Sequence, residues 1–132
     1  MCGIIGFINI EKEITKEEIF RKGQISINSL THRGPDGSGS VYFENSGVFL
    51  GHRRLSILDL SINGKQPMRS YNGRYTITFN GEIYNFREIK SYLDELGCGV
   101  KWRGNSDTEV LLEAISYLGL KETLNKCRGM FA

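Results

Sequence analysis

A cysteine stands directly after the initiator methionine, in Met1-Cys2-Gly3-Ile4-Ile5-Gly6. The Cys2 side chain is small enough for an aminopeptidase to remove Met1, which would leave a thiol and a free α-amine on one residue. An α-amine has an unperturbed pKa of roughly 7.7–8.0, so near neutral pH part of it is unprotonated and can take the thiol proton, directly or through water. Cys2 would then be a nucleophile for acyl transfer that carries its own base. The hexapeptide fits equally well a small apolar residue opening a buried strand, and the rest of the chain must separate the two.

Three polar clusters lie where packing does not ask for them: Gly51-His52-Arg53-Arg54-Leu55-Ser56, Asn80-Gly81-Glu82-Ile83-Tyr84-Asn85 and Asn105-Ser106-Asp107. Each also has a structural explanation. Arg54 suits a solvated or salt-bridged surface position, Asn80-Gly81 a tight turn, and Asp107 a first-turn anion complementing a helix dipole. The remaining cysteines, Cys98 and Cys127, make no Cys-x-x-Cys spacing, and only His32 and His52 could add imidazoles. This argues against a structural zinc site and a disulfide framework, and no metal ligand set is assigned.

The elements that must position these residues alternate without a repeat or linker. Cys2 to Ile8 reads as a buried strand. Thr15 with Glu18 forms a capping box opening a helix that carries Ile19, Phe20, Ile27 and Leu30 toward a core. Gly34-Pro35-Asp36-Gly37 breaks it. Val41 to Phe43 and Val48 to Gly51 read as a hairpin around residues 44–47, and Tyr75 to Phe79 as a strand. Two helices follow. One opens at Asn85 with Glu88, places Phe86, Ile89, Leu93 and Leu96 in a stripe and ends at Gly97; the other opens at Ser106 with Glu109 and presents Val110, Leu111, Ala114, Ile115 and Leu118. The spacing is not that of regular βαβ units, and no Gly-x-Gly-x-x-Gly or phosphate loop is present, so an α+β domain without a nucleotide site is expected.

With 132 residues, 39% hydrophobic and 24% charged, the chain fits one globular domain with a real core. Its net charge of +2, from 17 basic and 15 acidic residues, gives no footprint for nucleic acid or an anionic membrane. No run approaches the roughly 18 apolar residues of a membrane span, and a cytoplasmic location is expected.

Together the clusters resemble the glutaminase domain of class II glutamine amidotransferases, especially the asparagine-synthetase branch. The residues that carry the resemblance are Cys2-Gly3-Ile4-Ile5-Gly6, His32-Arg33-Gly34-Pro35-Asp36-Gly37, Gly51-His52 with Arg54-Leu55-Ser56-Ile57 and Asp59, Gln66-Pro67-Met68, Asn80 to Asn85, Ser106-Asp107-Thr108-Glu109, and Gly129-Met130-Phe131-Ala132. They run in the family's order across the whole chain.

The resemblance implies an N-terminal-nucleophile hydrolase fold, a four-layer αββα sandwich, here ending before its last strands. It implies hydrolysis of glutamine to glutamate and ammonia through a Cys2 thioester. Asn80 and Gly81 would hold the oxyanion, Arg54 the substrate α-carboxylate, and Glu82 with Asp107 the α-ammonium. Arg53 is expected on the surface, and His32 to Asp36 in a structural or lid-adjacent loop. Residues 1–132 would be the glutaminase part of a ligase. Its C-terminal synthetase domain, using ATP and Mg, would make asparagine from aspartate. An amidotransferase of the same branch acting on a cell-envelope sugar or peptide precursor, a simple amidase and a non-catalytic regulatory domain are the alternatives. The residues leave a homodimer open, and the domain alone need not be active.

Overall fold

The computed structural model describes residues 1–11 and 13–132. Among these, four helices and seven short strands form a mixed α/β arrangement whose strand pairs are all antiparallel. Two compact units share the chain: residues 1–56 with 65–67 and 78–80, and residues 57–64 with 68–77 and 81–132.

The first unit is a three-stranded sheet of β1 (Gly3–Ile8), β2 (Gly37–Phe43) and β3 (Val48–Arg54) in the order β1-β3-β2, with helix α1 (Lys16–Ser29) against one face. β2 and β3 form the expected hairpin, with Phe43 opposite Val48. Thr15 Oγ1 accepts the Glu18 N–H at 3.3 Å, so α1 starts where the capping pattern placed it. Ile19 and Ile27 of α1 bury against Phe49, whose ring stacks on Phe7 at 4.7 Å between centroids. Gly23 is required there, because a Cβ would overlap the Phe49 ring. Side chains alternate along β3, so Phe49 and Gly51 face α1 while His52 and Arg54 point to the other side.

Two expectations change here. β1 begins at Gly3 and is half-buried: Ile5 and Phe7 pack toward the core, but Gly6 and Ile8 are exposed, because β1 is an edge strand with a helix on one face only. Phe20 lies at the rim, 38% exposed and edge-on to Phe49.

The second unit contains two two-stranded sheets, β4 (Met68–Arg69) with β5 (Thr76–Ile77) and β6 (Gly81–Ile83) with β7 (Gly129–Phe131), and helices α2 (Phe86–Glu95), α3 (Asp107–Leu118) and α4 (Leu120–Lys126). Ser106 Oγ accepts the Glu109 N–H at 3.1 Å, opening α3 as expected. α3 is buried all round from Asp107 to Ala114, which is why its polar first turn needs partners. Glu109 supplies them by accepting from the Arg103 N–H, the Arg103 guanidinium and the Gly104 N–H.

α2 opens at Asn85 as expected, but the Asn85 side chain makes no cap bond. Its carboxamide instead donates to Lys126 O and accepts from the Arg128 N–H, and Glu88 pairs with Arg128. Leu96, expected in the buried stripe, is 52% exposed past the end of α2. The strand expected over Tyr75 to Phe79 shrinks to Thr76–Ile77, because residues 78–80 join the first unit. Gly119 at φ +84° separates α4 from α3; Leu120 and Leu124 of α4 are exposed, and the helix ends at Cys127, which caps its C-terminus. Among the described residues no helix is long and apolar enough to cross a membrane.

Candidate active site

The sheet register of the first unit sets Cys2 beside Arg54. β1 and β3 run antiparallel with Gly3 opposite Arg53, so one further step pairs the position of Cys2 with that of Arg54, and Gly37 of β2 lies opposite Arg54 on its other side. Cys2 is half-buried, and its sulfur lies against the Leu55 backbone: the Leu55 N–H donates to Sγ at 3.3 Å, and the thiol donates to Leu55 O at 3.6 Å. The Cys2 carbonyl accepts from Arg33 Nε at 3.0 Å. Arg54 is half-buried on the β3 face turned away from α1.

The His32 to Asp36 loop is tied to this end of the sheet. Besides the Arg33 bond to Cys2, Gly34 O accepts from Arg53 Nε at 2.9 Å, the Asp36 N–H donates to Arg54 O at 3.0 Å, and the Ser56 N–H donates to Asp36 Oδ2 at 2.7 Å. Arg53, expected on the surface, is therefore half-buried and pins the loop; it points opposite to Arg54 because neighbours on a strand alternate. His32 itself is exposed.

Asn80 belongs to the same unit. It is half-buried, and its carboxamide makes no hydrogen bond to any described residue, which leaves both N–H donors available. The residue before it is held from several directions. The Thr78 hydroxyl donates to Gly51 O at 3.1 Å, the Phe79 N–H donates to Gln66 Oε1 at 2.7 Å, and His52 Nε2 lies 3.2 Å from Phe79 O. Burial, with a smaller contribution from Arg54, lowers the His52 pKa to about 4, so the ring is neutral at physiological pH.

In the second unit Gly81 opens β6, and Asn80-Gly81 is not the turn of a hairpin. A Cβ on Gly81 would overlap Met130 O of β7, so the glycine is needed for strand pairing. The Tyr84 N–H donates to Arg128 O at 2.7 Å, which makes 84/128 a hydrogen-bonded pair; by antiparallel alternation Glu82 and Met130 form the next. The N–H groups of Gly81 and Ile83 therefore point away from β7. Ile83 confirms this by donating to Asp107 Oδ2 at 2.8 Å. Asp107 is 6% exposed, and its other oxygen accepts the Thr108 N–H at 2.8 Å. Burial raises its pKa, opposed by these hydrogen bonds. Glu82 is exposed on β6.

The structure thus groups Cys2, Arg54 and Asn80 in one unit and Gly81, Glu82 and Asp107 in the other, with Asn80 and Gly81 joined by a peptide bond. Sequence reasoning assigned no task to His52, Gln66 or Arg33, although all three stood in the quoted motifs. For His52 the available signal was a histidine directly after Gly51; Gln66 and Arg33 lie outside the strands and carried no local signal.

A family model described as a glutamine amidotransferase domain matches residues 1–132. The chain is 39% identical over its whole length to asparagine synthetase [glutamine-hydrolyzing] 1 of Bacillus subtilis, of which it covers 20%. It is 35% identical over its whole length to asparagine synthetase B [glutamine-hydrolyzing] of Escherichia coli, covering 22%, and 35% identical to an amidase of Gibberella zeae, covering 20%. It spans about a fifth of the length of these relatives.

Proposed function

The chain belongs to the glutamine amidotransferase domain family, and from that premise we propose that it hydrolyses glutamine to glutamate and ammonia, with Cys2 as nucleophile. With Met1 removed, the Cys2 α-amine takes the thiol proton and the sulfur attacks the glutamine side-chain amide carbon. The Asn80 carboxamide and the Gly81 N–H receive the oxyanion, and preorganised donors of this kind contribute most of their energy in the transition state. The α-ammonium returns that proton to the amide nitrogen, and collapse expels ammonia and leaves a γ-glutamyl thioester. Water then releases glutamate and restores the thiol.

Arg54 takes the α-carboxylate, because its fork offers two parallel N–H donors to a planar acceptor. Asp107 and Glu82 take the α-ammonium. One observation carries this reading: the register that brings the Cys2 position beside Arg54 at the end of β3. The spacing on β6 supports the other half. The N–H of Gly81 and the carboxylate at Ile83 share one edge of the strand, two residues or about 7 Å apart, a span on the scale of an extended glutamine.

The domain is expected to complete the αββα sandwich of N-terminal-nucleophile hydrolases. We assign the ammonia to a synthetase domain of the full-length protein, which would hold ATP and Mg and amidate aspartate; the asparagine synthetases among the relatives support this. The amidase among them supports a second reading, hydrolysis of other amides. Full-length protein given glutamine, aspartate and ATP decides. Glutamate release coupled to asparagine and pyrophosphate is expected. Preference for simple amides over glutamine would select the second reading, and glutamate release with no aspartate-dependent pyrophosphate would count against asparagine synthesis and favour a cell-envelope acceptor.

A further inference from the structure

We infer that His52 and Gln66 are positioning residues for Asn80, holding the two peptide units that flank Phe79 so that the Asn80 carboxamide keeps one direction. This rests on Asn80 being the oxyanion donor proposed above. Residues 78–80 pair with no strand among the described residues, yet they lie in the first unit, and hydrogen bonds to Gly51, His52 and Gln66 attach them to it. Gln66 Oε1 fixes the peptide between Thr78 and Phe79 by accepting the Phe79 N–H. His52 fixes the next peptide, between Phe79 and Asn80, by donating to its carbonyl.

That second peptide sets the direction of the Asn80 side chain, because turning it changes the φ of Asn80 and swings the Cα–Cβ bond. His52 is 1% exposed and Gln66 6% exposed, so neither bond exchanges readily with water. A carbonyl partner requires the proton on Nε2. Nδ1 is then an acceptor with no partner among the described residues, and a ring in this state has no proton-transfer partner at Cys2. His52 is therefore a donor to a backbone carbonyl and not a second base. Errors of about 1 Å in the placement of a catalytic group cost on the order of 10²-fold in rate, which is the size of effect expected here.

Glutaminase kinetics on full-length protein test this with paired substitutions. In His52→Gln the side-chain amide reaches the place of ring Nε2–H and should keep kcat within about threefold; in His52→Asn it reaches only the place of Nδ1, and kcat should fall roughly 10- to 100-fold with KM little changed. His52→Asn combined with Asn80→Ala should be no slower than Asn80→Ala alone, since a residue acting through Asn80 has nothing left to position. Equal effects of Gln and Asn, a His52→Gln protein that does not fold, or a full additional loss in the Asn80→Ala background would each overturn the inference. Absence of glutamine hydrolysis by the unaltered protein would instead refute the underlying assignment.

Discussion

Asp107 Oδ2 accepts the Ile83 N–H at 2.8 Å, so a single buried carboxylate joins the first turn of α3 to the edge of β6 that faces away from β7. The same group is assigned to the substrate α-ammonium. Asp107→Ala should therefore do two things at once: raise KM for glutamine, and destabilise the fold by about 1–3 kcal/mol because the Ile83 and Thr108 donors lose their acceptor. Steady-state kinetics with thermal melts check both. A raised KM at unchanged melting temperature would show that the β6 tie carries no stability.

Asn80→Ala should lower kcat by 10²–10³-fold with KM little changed, because the oxyanion exists only in the transition state. Arg54→Ala should mainly raise KM. Glutaminase kinetics on full-length protein separate the two, and an Asn80→Ala enzyme with normal kcat would remove the oxyanion assignment.

His52 sets an acid limit. Its pKa is about 4 in the fold, lowered from 6.5 mainly by burial, so below pH 6.5 the unfolded chain binds the proton more readily. Stability is complete above that pH and falls as pH drops toward 4, by at most about 3 kcal/mol. Urea unfolding at pH 7 and pH 4.5 should show a larger loss for the unaltered protein than for His52→Gln. Equal losses would mean that His52 is not the group responsible.

Phe49 is fully buried between Phe7 and α1. Phe49→Ala should cost about 3–5 kcal/mol, a large share of a domain stability of about 5–15 kcal/mol. Chemical denaturation measures it; a loss under about 1 kcal/mol would show that this core can collapse around the gap.

The chain displays its helix starts plainly where a single side chain makes the cap. Thr15 and Ser106 bond the N–H three residues on, as their spacing to Glu18 and Glu109 indicates. Asn85 carries the same signal and α2 does open there, but its side chain makes no cap, because its carboxamide is taken by the far end of the unit, at Lys126 and Arg128, a contact 41 to 43 residues away that no local pattern contains. The hairpin of β2 and β3 was legible from a turn between alternating strands, whereas the tie from His52 to Phe79 crosses 27 residues and was not. Of the site, the residue types stood in the motifs. The sheet register that sets Cys2 beside Arg54, and the alternation that turns the Gly81 N–H away from β7, needed the fold. Arg53 shows the limit: next to Arg54 in sequence, it faces oppositely and serves the loop at Gly34.

The most direct test is to find where glutamine carbon becomes attached. Full-length protein mixed with glutamine and quenched in acid within a turnover should yield, on peptide mapping, a γ-glutamyl mass on an N-terminal peptide that begins at Cys2 and lacks Met1. Cys98 and Cys127 should remain unmodified; neither has an adjacent α-amine, and burial raises the Cys127 thiol pKa. A γ-glutamyl group on either of them, or active turnover by protein that retains Met1 in full, would contradict the assignment of Cys2 as a nucleophile served by its own amine.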